Sequence, residues 1–270
     1  MPPAPTLRLG TLNIASGRSS GGAPLAAHEL GRAVADLGVD VLALQEVDAG
    51  QPRSHGVHQA AEVARALGAD WRMCPTVAGT PDPFRSWRPA APSLLGVEDS
   101  VDGPAYGIAL LSRRPVRRWH VLGLGSGRAR LPLRAPDPRT GRPRTWWFPD
   151  EPRAAVAAEV DGATVVSTHL SFAPQTSIRQ LLRLRRWAAG LPGPVVVAGD
   201  LNLPGGLPAR LLGGRDLVRT PTFPGHAPRV QLDHLVAPAE ASGADAVARR
   251  LPVGDHLALL ATLSSGTLPL

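Results

Sequence analysis

The residues best suited to chemistry in this chain follow a short apolar segment, residues 195–198. That segment leads through Gly199 into Asp200-Leu201-Asn202, and its small or branched side chains predict a buried strand. If the backbone stays extended, Asp200 and Asn202 point the same way, because side chains alternate along a strand. An aspartate can accept a proton or hold a water, and an asparagine can donate to a phosphoryl oxygen without adding negative charge. A simple turn before residues 204–206 would use the same residue types.

Polar residues of the same kinds recur where other apolar segments begin or end. Each alone is ordinary, since Asp and Asn often terminate strands and a single His is more often structural than catalytic. Collected at one rim of a sheet, they would provide oxygen ligands for a divalent cation, an acid or base that orients water, and donors for developing charge. Hydrolysis of a phosphate ester requires that combination. The set is Asn13, Glu46, His169, Asp200, Asn202, Asp233, Asp255 and His256.

The spacing of apolar residues, together with Gly, Pro and Asp-Gly punctuation, predicts the elements that position this set. Helices are expected at 25–37, 57–67, 176–189 and 207–212. Strands are expected at 7–14, 41–46, 71–76, 106–112, 116–122, 154–160, 164–170, 195–200, 231–236 and 256–263. Two pairs of neighbouring strands have the pattern of hairpins, 106–112 with 116–122 and 154–160 with 164–170.

Two long segments, 77–104 and 123–152, are rich in proline and glycine and are expected to be surface loops. The second carries six arginines ahead of Trp146-Trp147-Phe148, namely Arg128, Arg130, Arg134, Arg139, Arg142 and Arg144. Interleaved arginines and aromatic rings can hold phosphates and stack on bases, although solvated loop charge explains them too. Arg153 directly precedes the next strand and is a candidate phosphate contact.

Composition limits the classes of function. The 270 residues carry a formal net charge of +7, and all 29 basic residues are arginine, which favours anionic partners such as phosphate esters, nucleic acid or acidic lipid headgroups. Cys74 is the only cysteine, which excludes an intrachain disulfide and a multi-cysteine metal site. The sequence contains neither the pattern of a secretory signal nor a long apolar run. We therefore expect a monomeric cytoplasmic protein with one domain over 1–270.

Seven motifs occur in the order seen in the endonuclease/exonuclease/phosphatase superfamily, and the chain resembles that family over nearly its whole length. They are Leu12-Asn13, Leu44-Gln45-Glu46-Val47, Tyr106-Gly107-Ile108-Ala109-Leu110-Leu111-Ser112, Ser167-Thr168-His169-Leu170, Gly199-Asp200-Leu201-Asn202, Leu232-Asp233-His234 and Gly254-Asp255-His256. The family includes deoxyribonucleases, abasic-site endonucleases, sphingomyelinases and inositol-polyphosphate phosphatases. The resemblance implies an α/β (α+β) fold, a four-layer α/β/β/α sandwich of two mixed β-sheets flanked by helices.

The resemblance also implies a metal site. Glu46 matches the principal metal carboxylate of the family, and Asn13 and Asp255 match residues that help hold the metal or the phosphate. Hard oxygen ligands point to Mg²⁺ (or Mn²⁺) as the cofactor.

Five further residues match catalytic positions of the family. His256 matches the catalytic imidazole, and Asp233 matches the carboxylate that orients it. Asp200 matches the residue that positions or deprotonates water, and Asn202 matches an oxyanion donor. His169 matches a histidine that contacts phosphate or assists the leaving group.

The expected activity is a Mg²⁺-dependent, single-displacement hydrolysis of a phosphodiester, with nucleic acid as the leading substrate because of the arginine-rich segment. A phosphatase or phosphodiesterase acting on a lipid or inositol phosphate is the alternative within enzymes. A catalytically silent nucleic-acid-binding module is the alternative from another class.

Overall fold

The computed structural model describes residues 6–82, 86–99, 102–137 and 139–264. Four helices lie in these ranges: α1 (Ala27–Ala35), α2 (Gln59–Leu67), α3 (Pro174–Ala188) and α4 (Leu207–Leu212). The first eight strands are β1 (Thr6–Asn13), β2 (Val41–Ala49), β3 (Asp70–Gly79), β4 (Trp87–Pro89), β5 (Ala105–Ser112), β6 (Arg118–Gly125), β7 (Arg130–Pro136) and β8 (Pro143–Pro149). The others are β9 (Arg153–Val160), β10 (Ala163–His169), β11 (Val195–Asp200), β12 (Gly214–Asp216), β13 (Asp233–Pro238), β14 (Ser242–Arg249) and β15 (Ala258–Ser264).

Two mixed sheets form the centre of the fold. One has the strand order β14-β15-β1-β2-β5-β3-β4, and the other has the order β12-β13-β11-β10-β9-β6. The pairs β1-β2 and β10-β11 are parallel, and the remaining neighbours are antiparallel. One apolar core lies between the sheets, a second packs α1 and α2 on the first sheet, and a third packs α3 and α4 on the other. The predicted four-layer α/β/β/α sandwich is confirmed.

Alternation along β2 shows how the sequence builds two cores from one strand. Val41 and Ala43 face the core between the sheets, while Leu42 and Leu44 face the core beneath the helices. Burying a side chain of leucine size stabilises the fold by about 1.5–3 kcal/mol. A strand covered on both faces therefore reads as a continuous apolar run, as residues 41–44 do.

The pairing of β5 with β6 differs from the prediction. β5 pairs with β2 and β3 in the first sheet, and β6 pairs with β9 in the second, so residues 106–112 and 116–122 do not form a hairpin. Both strands were found from local patterns, but the choice of partner depends on the distant strand β9. The predicted hairpin of β9 and β10 is confirmed, with Val160 opposite Ala163 across the Asp161-Gly162 turn.

Both predicted long loops contain strands. Segment 77–104 holds the end of β3 and all of β4, while residues 83–85 and 100–101 lie outside the described ranges. Segment 123–152 contains the antiparallel hairpin β7-β8, with residue 138 outside the description. Asp137 closes its turn, because its backbone oxygen accepts from Gly141 and its Oδ1 accepts from the backbone of Arg139. A two-stranded ribbon tolerates the prolines that argued against strands, since each strand keeps one free edge.

Several boundaries also differ from the prediction. β2 continues to Ala49 instead of ending at Glu46, β13 begins at Asp233, and β15 begins at Ala258, two residues after His256. β14 has mostly exposed side chains and was missed. Within the described ranges, none of the helices combines the length and the apolar character that crossing a bilayer requires.

Candidate active site

Strand pairing brings the polar set together at one end of the two sheets. His169 and Asp200 are the last residues of parallel neighbours and lie opposite each other. Asp233 begins the antiparallel strand on the other side of β11 and lies opposite Asp200. In the other sheet, Asn13 ends β1 beside the parallel strand β2. The C-terminal ends of β1, β10 and β11 thus lie at the same end of the sheets as the start of the antiparallel strand β13.

Asn13 joins the two sheets by hydrogen bonds. Its Nδ2 donates to Glu46 Oε1 and to Asp200 Oδ2, each at 3.1 Å. Its Oδ1 accepts from the backbone N–H of Ala15 at 3.0 Å, which fixes the orientation of the amide. The carboxylate of Glu46 and that of Asp200 are therefore held on the same side chain.

Glu46 owes its position to a bulge. Leu44 lies opposite Ala109 and Val47 lies opposite Gly107, so two residues of β2 face one residue of β5. Glu46 adopts a left-handed backbone conformation with φ of 55°, which is costly for a residue with a side chain and is typical of functional positions. On the other side of β5, Gly107 allows a close approach to β3, because a Cβ at this residue would overlap the carbonyl oxygen of Cys74. The expected strand end at Glu46 is thus a bulge inside β2.

Asp233 and His256 form a buried pair. His256 Nδ1 lies 2.8 Å from Asp233 Oδ2, and the imidazole packs against the ring of Phe223. Burial lowers the pKa of His256, but the Asp233 carboxylate outweighs it and the pKa rises to about 10. The ring is therefore an imidazolium at neutral pH. Its Nε2 lies 3.8 Å from Asp200 Oδ2.

Asp200 is the buried carboxylate at the centre of the set. Burial raises its pKa to about 7 and the nearby Asp233 charge adds to the rise, while His256 and the hydrogen bonds from Asn13 and the Asn202 backbone oppose it. The Asn202 N–H lies 3.1 Å from Asp200 Oδ1. A carboxylate with a pKa near neutrality is suited to take a proton from water.

His169 and Asn202 lie on the other side of Asp200. His169 Nε2 is 3.6 Å from Asp200 Oδ2 and 3.2 Å from Asn202 Nδ2, which also donates to the carbonyl of Leu170 at 2.9 Å. Burial, with the charges of Arg153 and His256, lowers the pKa of His169 well below its ordinary value. The ring is therefore neutral. Both amide hydrogens of Asn202 are engaged, so a contact with a phosphoryl oxygen requires one of them to be released.

Asn202, like Glu46, has a left-handed backbone conformation, with φ of 50°. The strand ends at Asp200, so Asn202 does not share its extended backbone as the alternation argument assumes. Gly199 allows β10 and β11 to approach closely at this end, because a Cβ there would overlap the carbonyl oxygen of Thr168.

Arg153 is buried beside the site. Its Nη1 lies 3.4 Å from Glu151 Oε2, and among the described residues Nε and Nη2 have no hydrogen-bond partner. Its guanidinium lies 5.3 Å from the ring of Phe172, which is itself 6.2 Å from the His169 ring.

Tyr106 is a further buried group near these charges. Burial raises the pKa of Tyr106 well above its ordinary value, and the Glu46 and Glu151 charges add to the rise.

Three residues at the site, Tyr106, Glu151 and Phe172, were not predicted from the sequence. Each adjoins a recognised motif, since Tyr106 begins a strand motif, Glu151 is two residues before Arg153, and Phe172 is three residues after His169. Proximity to those motifs was the only available signal. His234, next to Asp233, turns to the opposite face and contacts Asp216 at 2.9 Å and the Leu203 carbonyl at 3.0 Å.

A sequence model described as the Endonuclease/Exonuclease/phosphatase family matches residues 10–256. The chain belongs to this family. Its members are typically phosphoester-hydrolysing enzymes, generally dependent on a divalent metal. No curated protein matches the sequence significantly.

Solved structures of the endonuclease/exonuclease/phosphatase family share the fold at low identity. A family protein from Beutenbergia cavernae is 18% identical, with a TM-score of 0.63 over 96% of this chain and 71% of that one. One from Bacteroides vulgatus is 16% identical, with a TM-score of 0.60 over 96% and 98%. A mannosyl-6-phosphatase from Bacteroides thetaiotaomicron is 12% identical, with a TM-score of 0.54 over 95% and 99%. At these identities the likeness concerns the fold alone.

The donor set fits the divalent metal of this family. The Glu46 and Asp200 oxygens each lie 3.1 Å from Asn13 Nδ2, so they are at most twice that distance, 6.2 Å, apart. Asp255 adds a carboxylate that is 59% exposed, with Oδ1 4.0 Å from His256 Nε2. Ligand atoms of Asp200, Asp233 and His256 lie within 4.8 Å of one another. Burial and the neighbouring Asp233 charge raise the pKa of Asp200, and a cation beside these carboxylates would offset both effects; hard oxygen ligands suit Mg²⁺ or Mn²⁺.

Proposed function

We propose that this chain is a Mg²⁺- or Mn²⁺-dependent phosphodiesterase, with nucleic acid as its leading substrate. One observation carries the proposal. A carboxylate with a pKa near 7, Asp200, lies between an imidazolium and an asparagine that also holds Glu46. A general base, a cationic donor and a metal carboxylate thus converge on one point at the rim of the sheets.

The proposed metal ligands are Glu46, Asn13 and Asp255. Glu46 supplies the principal carboxylate, Asn13 fixes it from the neighbouring strand, and Asp255 reaches the site from its exposed side. When bound, the cation would withdraw charge from the phosphoryl oxygens and so favour attack at phosphorus.

The other groups handle water and charge in a single displacement. Asp200 takes a proton from the attacking water as the new P–O bond forms, and the bond to the leaving oxygen breaks in line with it. His256, held by Asp233, donates from Nε2 to a phosphoryl oxygen, which gains charge in the transition state. On the other side of Asp200, Asn202 donates to a phosphoryl oxygen once one of its amide hydrogens is released from His169 Nε2 or the Leu170 carbonyl, and His169 supports the leaving group.

Arg153 is proposed to contribute as a fixed positive charge toward the substrate phosphate. Burial would ordinarily lower the pKa of Arg153, but the nearby carboxylates of Glu151 and Glu46 raise it. Its Nε and Nη2 are buried and have no hydrogen-bond partner within the part of the chain that the structure describes, which leaves them able to bind an anion. An arginine held in this way can orient an anion without first losing side-chain entropy.

A diester of nucleic acid is favoured over a lipid headgroup by the surroundings of the site. The net charge of +7 and the arginine-rich hairpin suit an extended polyanion. A lipid substrate would call for an exposed apolar loop beside the site. Leu94 and Leu95 are instead half-buried against the cores, and Leu95 pairs its backbone with Met73.

A panel of substrates tests the proposal with purified protein and Mg²⁺ or Mn²⁺. It comprises single-stranded, duplex and abasic DNA, sphingomyelin, inositol phosphates, a sugar 6-phosphate and nitrophenyl esters. We expect turnover of nucleic acid and of a nitrophenyl diester, each stopped by a chelator. Faster turnover of a phosphomonoester, as the activity in the name of the mannosyl-6-phosphatase relative suggests, would favour the phosphatase alternative. Binding of DNA without hydrolysis of any ester would favour the silent module.

A further inference from the structure

The hairpin β7-β8 presents two different faces. Residues directly opposite each other in an antiparallel pair share a face, so the register places alternate pairs on the outward face, and three of these pairs consist of exposed residues. They are Arg130 with Pro149, Pro132 with Trp147, and Arg134 with Thr145, and all six residues are exposed. Trp147 is 64% exposed, which is unusual for the largest side chain and leaves most of its indole ring accessible to a ligand.

The aromatic residues on the inward face are packed instead. The Phe148 ring lies 5.6 Å from that of Trp87, and both residues are half-buried. The Arg144 guanidinium lies 4.5 Å from the Trp146 ring and 3.5 Å from Asp137. The contact of Phe148 with Trp87 therefore joins the hairpin to β4, and Arg144 is partly neutralised within the hairpin.

The base of the hairpin is fastened next to the candidate active site. Asp150, directly after β8, accepts the Ser171 hydroxyl at 2.7 Å and the Gly127 N–H at 2.6 Å. Ser171 precedes Phe172, which is 51% exposed and meets the His169 ring edge-on. Trp147 is three residues from Asp150, a span of about 11 Å at most. A second exposed ring, Phe172, thus lies beside His169 and follows the serine that fastens the base of the hairpin.

A basic cleft lies between the base of the hairpin and the start of α3. It has a volume of about 660 Å³ and is lined by Ser126, Arg128 and Ala129 from the base of the hairpin and by residues 173–176 and Arg179 from the start of α3. Arg179 donates to the Ser126 carbonyl at 3.1 Å and so holds one wall. Positive charge continues from the cleft to Arg130 and Arg134 on the outward face.

We propose that the outward face of this hairpin, Trp147 between Arg130 and Arg134, binds an unpaired nucleic-acid strand by base stacking and phosphate contacts. The inference rests on the proposed function where it places the scissile phosphate at Asp200 and His256. An exposed indole can stack on an unpaired base, whereas bases inside a duplex already stack on each other. A bilayer is a poorer match, because one indole flanked by arginines, prolines and threonine gives no contiguous apolar patch.

Equilibrium binding of the full chain in chelator tests the stacking part. The probes are fluorescently labelled oligothymidylate, an abasic phosphodiester strand of the same length and a duplex. We expect Trp147→Ala to weaken binding of oligothymidylate about tenfold or more and to change binding of the abasic strand little. Trp147→Phe should retain most of the affinity, because it keeps an aromatic face.

The charged part has its own readout. Removing two phosphate contacts by Arg130→Ala and Arg134→Ala together should reduce the slope of log affinity against log salt by about 1.4 for a single strand. Arg183→Ala with Arg186→Ala is the matched control, since both arginines are exposed on α3, away from the hairpin. The control should leave the slope within error.

Equal binding of oligothymidylate by wild type and Trp147→Ala would overturn the inference, as would a preference for the duplex. Binding of phosphatidylserine vesicles that depends on Trp147, without binding of oligonucleotide, would overturn it in favour of a membrane. Hydrolysis of bis(4-nitrophenyl) phosphate by the wild type separates the two levels. If that hydrolysis occurs while Trp147 has no effect on strand binding, the inference alone fails. If it does not occur while the Trp147 effect is present, the proposed function fails and the strand-binding face stands.

Discussion

The pairing of Asp233 with His256 predicts how stability depends on pH. His256 has a folded pKa of about 10 against an ordinary 6.5, so the charged ring stabilises the fold fully below pH 6.5. This contribution is lost as the pH rises through 10. From these two values, the free energy of unfolding should fall by about 2 kcal/mol between about pH 7.5 and about pH 9. The window lies above the pKa of about 7 at Asp200, so that carboxylate contributes little to the slope there.

Asp233→Asn removes the charge that raises the pKa of His256, and it should remove most of this slope. The variant should also be less stable than wild type at about pH 7.5 and approach it as the pH rises. Urea unfolding followed by tryptophan fluorescence, at several pH values in chelator, measures the free energy directly. Asp245→Asn is the control, because Asp245 lies on the exposed strand β14 and should leave the slope unchanged.

His256→Asn should flatten the pH dependence as Asp233→Asn does, and the double variant should add little. A slope of wild-type size in either single variant would refute the assignment of the titration to this pair. So would a wild-type protein whose stability is flat over the same pH window.

Three further predictions concern the site and its support. Glu46→Gln should weaken Mg²⁺ affinity at least about tenfold in calorimetric titration and leave the unfolding transition nearly unchanged, and an unaltered affinity would remove Glu46 from the metal site. Asp233→Asn and His256→Ala should each lower kcat by about 10² or more while the double variant costs little extra, since fully additive losses would mean that the two act independently. Gly199→Ala should destabilise by at least about 3 kcal/mol in urea unfolding, because its Cβ would overlap a carbonyl of β10. Gly21→Ala, whose Cβ would make an ordinary contact with Ser19 Oγ at 3.8 Å, should stay within about 0.5 kcal/mol of wild type, and equal effects at both glycines would contradict the packing argument.

Local sequence signals were sufficient for the elements that carry their own pattern. β11 is a continuous apolar run ending at Asp200, and the β9-β10 hairpin has an Asp-Gly turn whose geometry matches strand twist. α4 begins and ends at the residues predicted, with Gly213 in the left-handed conformation that closes it. Each of these features depends on residues within a few positions along the chain.

Features that depend on distant partners could not be predicted. The bulge at Glu46 depends on the pairing of β2 with β5, and the separation of β5 from β6 depends on β9. The burial of Arg153 needs the counter-charge of Glu151 and a site assembled from both sheets. From the sequence alone, an arginine such as Arg153 is expected at the surface, since arginine is rarely buried unless paired.

The two faces of the hairpin show a related limit. The sequence places Arg139, Arg142 and Arg144 next to Trp146-Trp147-Phe148, but its prolines and glycines predict a loop instead of a hairpin. Only the register separates Trp146, which packs inward, from the exposed Trp147. A change of one position in that register would exchange the two rings.

Release of 4-nitrophenol from bis(4-nitrophenyl) phosphate tests the central claim most directly. The wild type should hydrolyse this diester with Mg²⁺ or Mn²⁺, lose the activity in chelator and regain it when the metal is restored. Asp200→Asn should lower kcat by about 10² or more without loss of the folded state, because it removes the proposed base. Undiminished hydrolysis in chelator, or an Asp200→Asn variant as fast as wild type, would contradict the account.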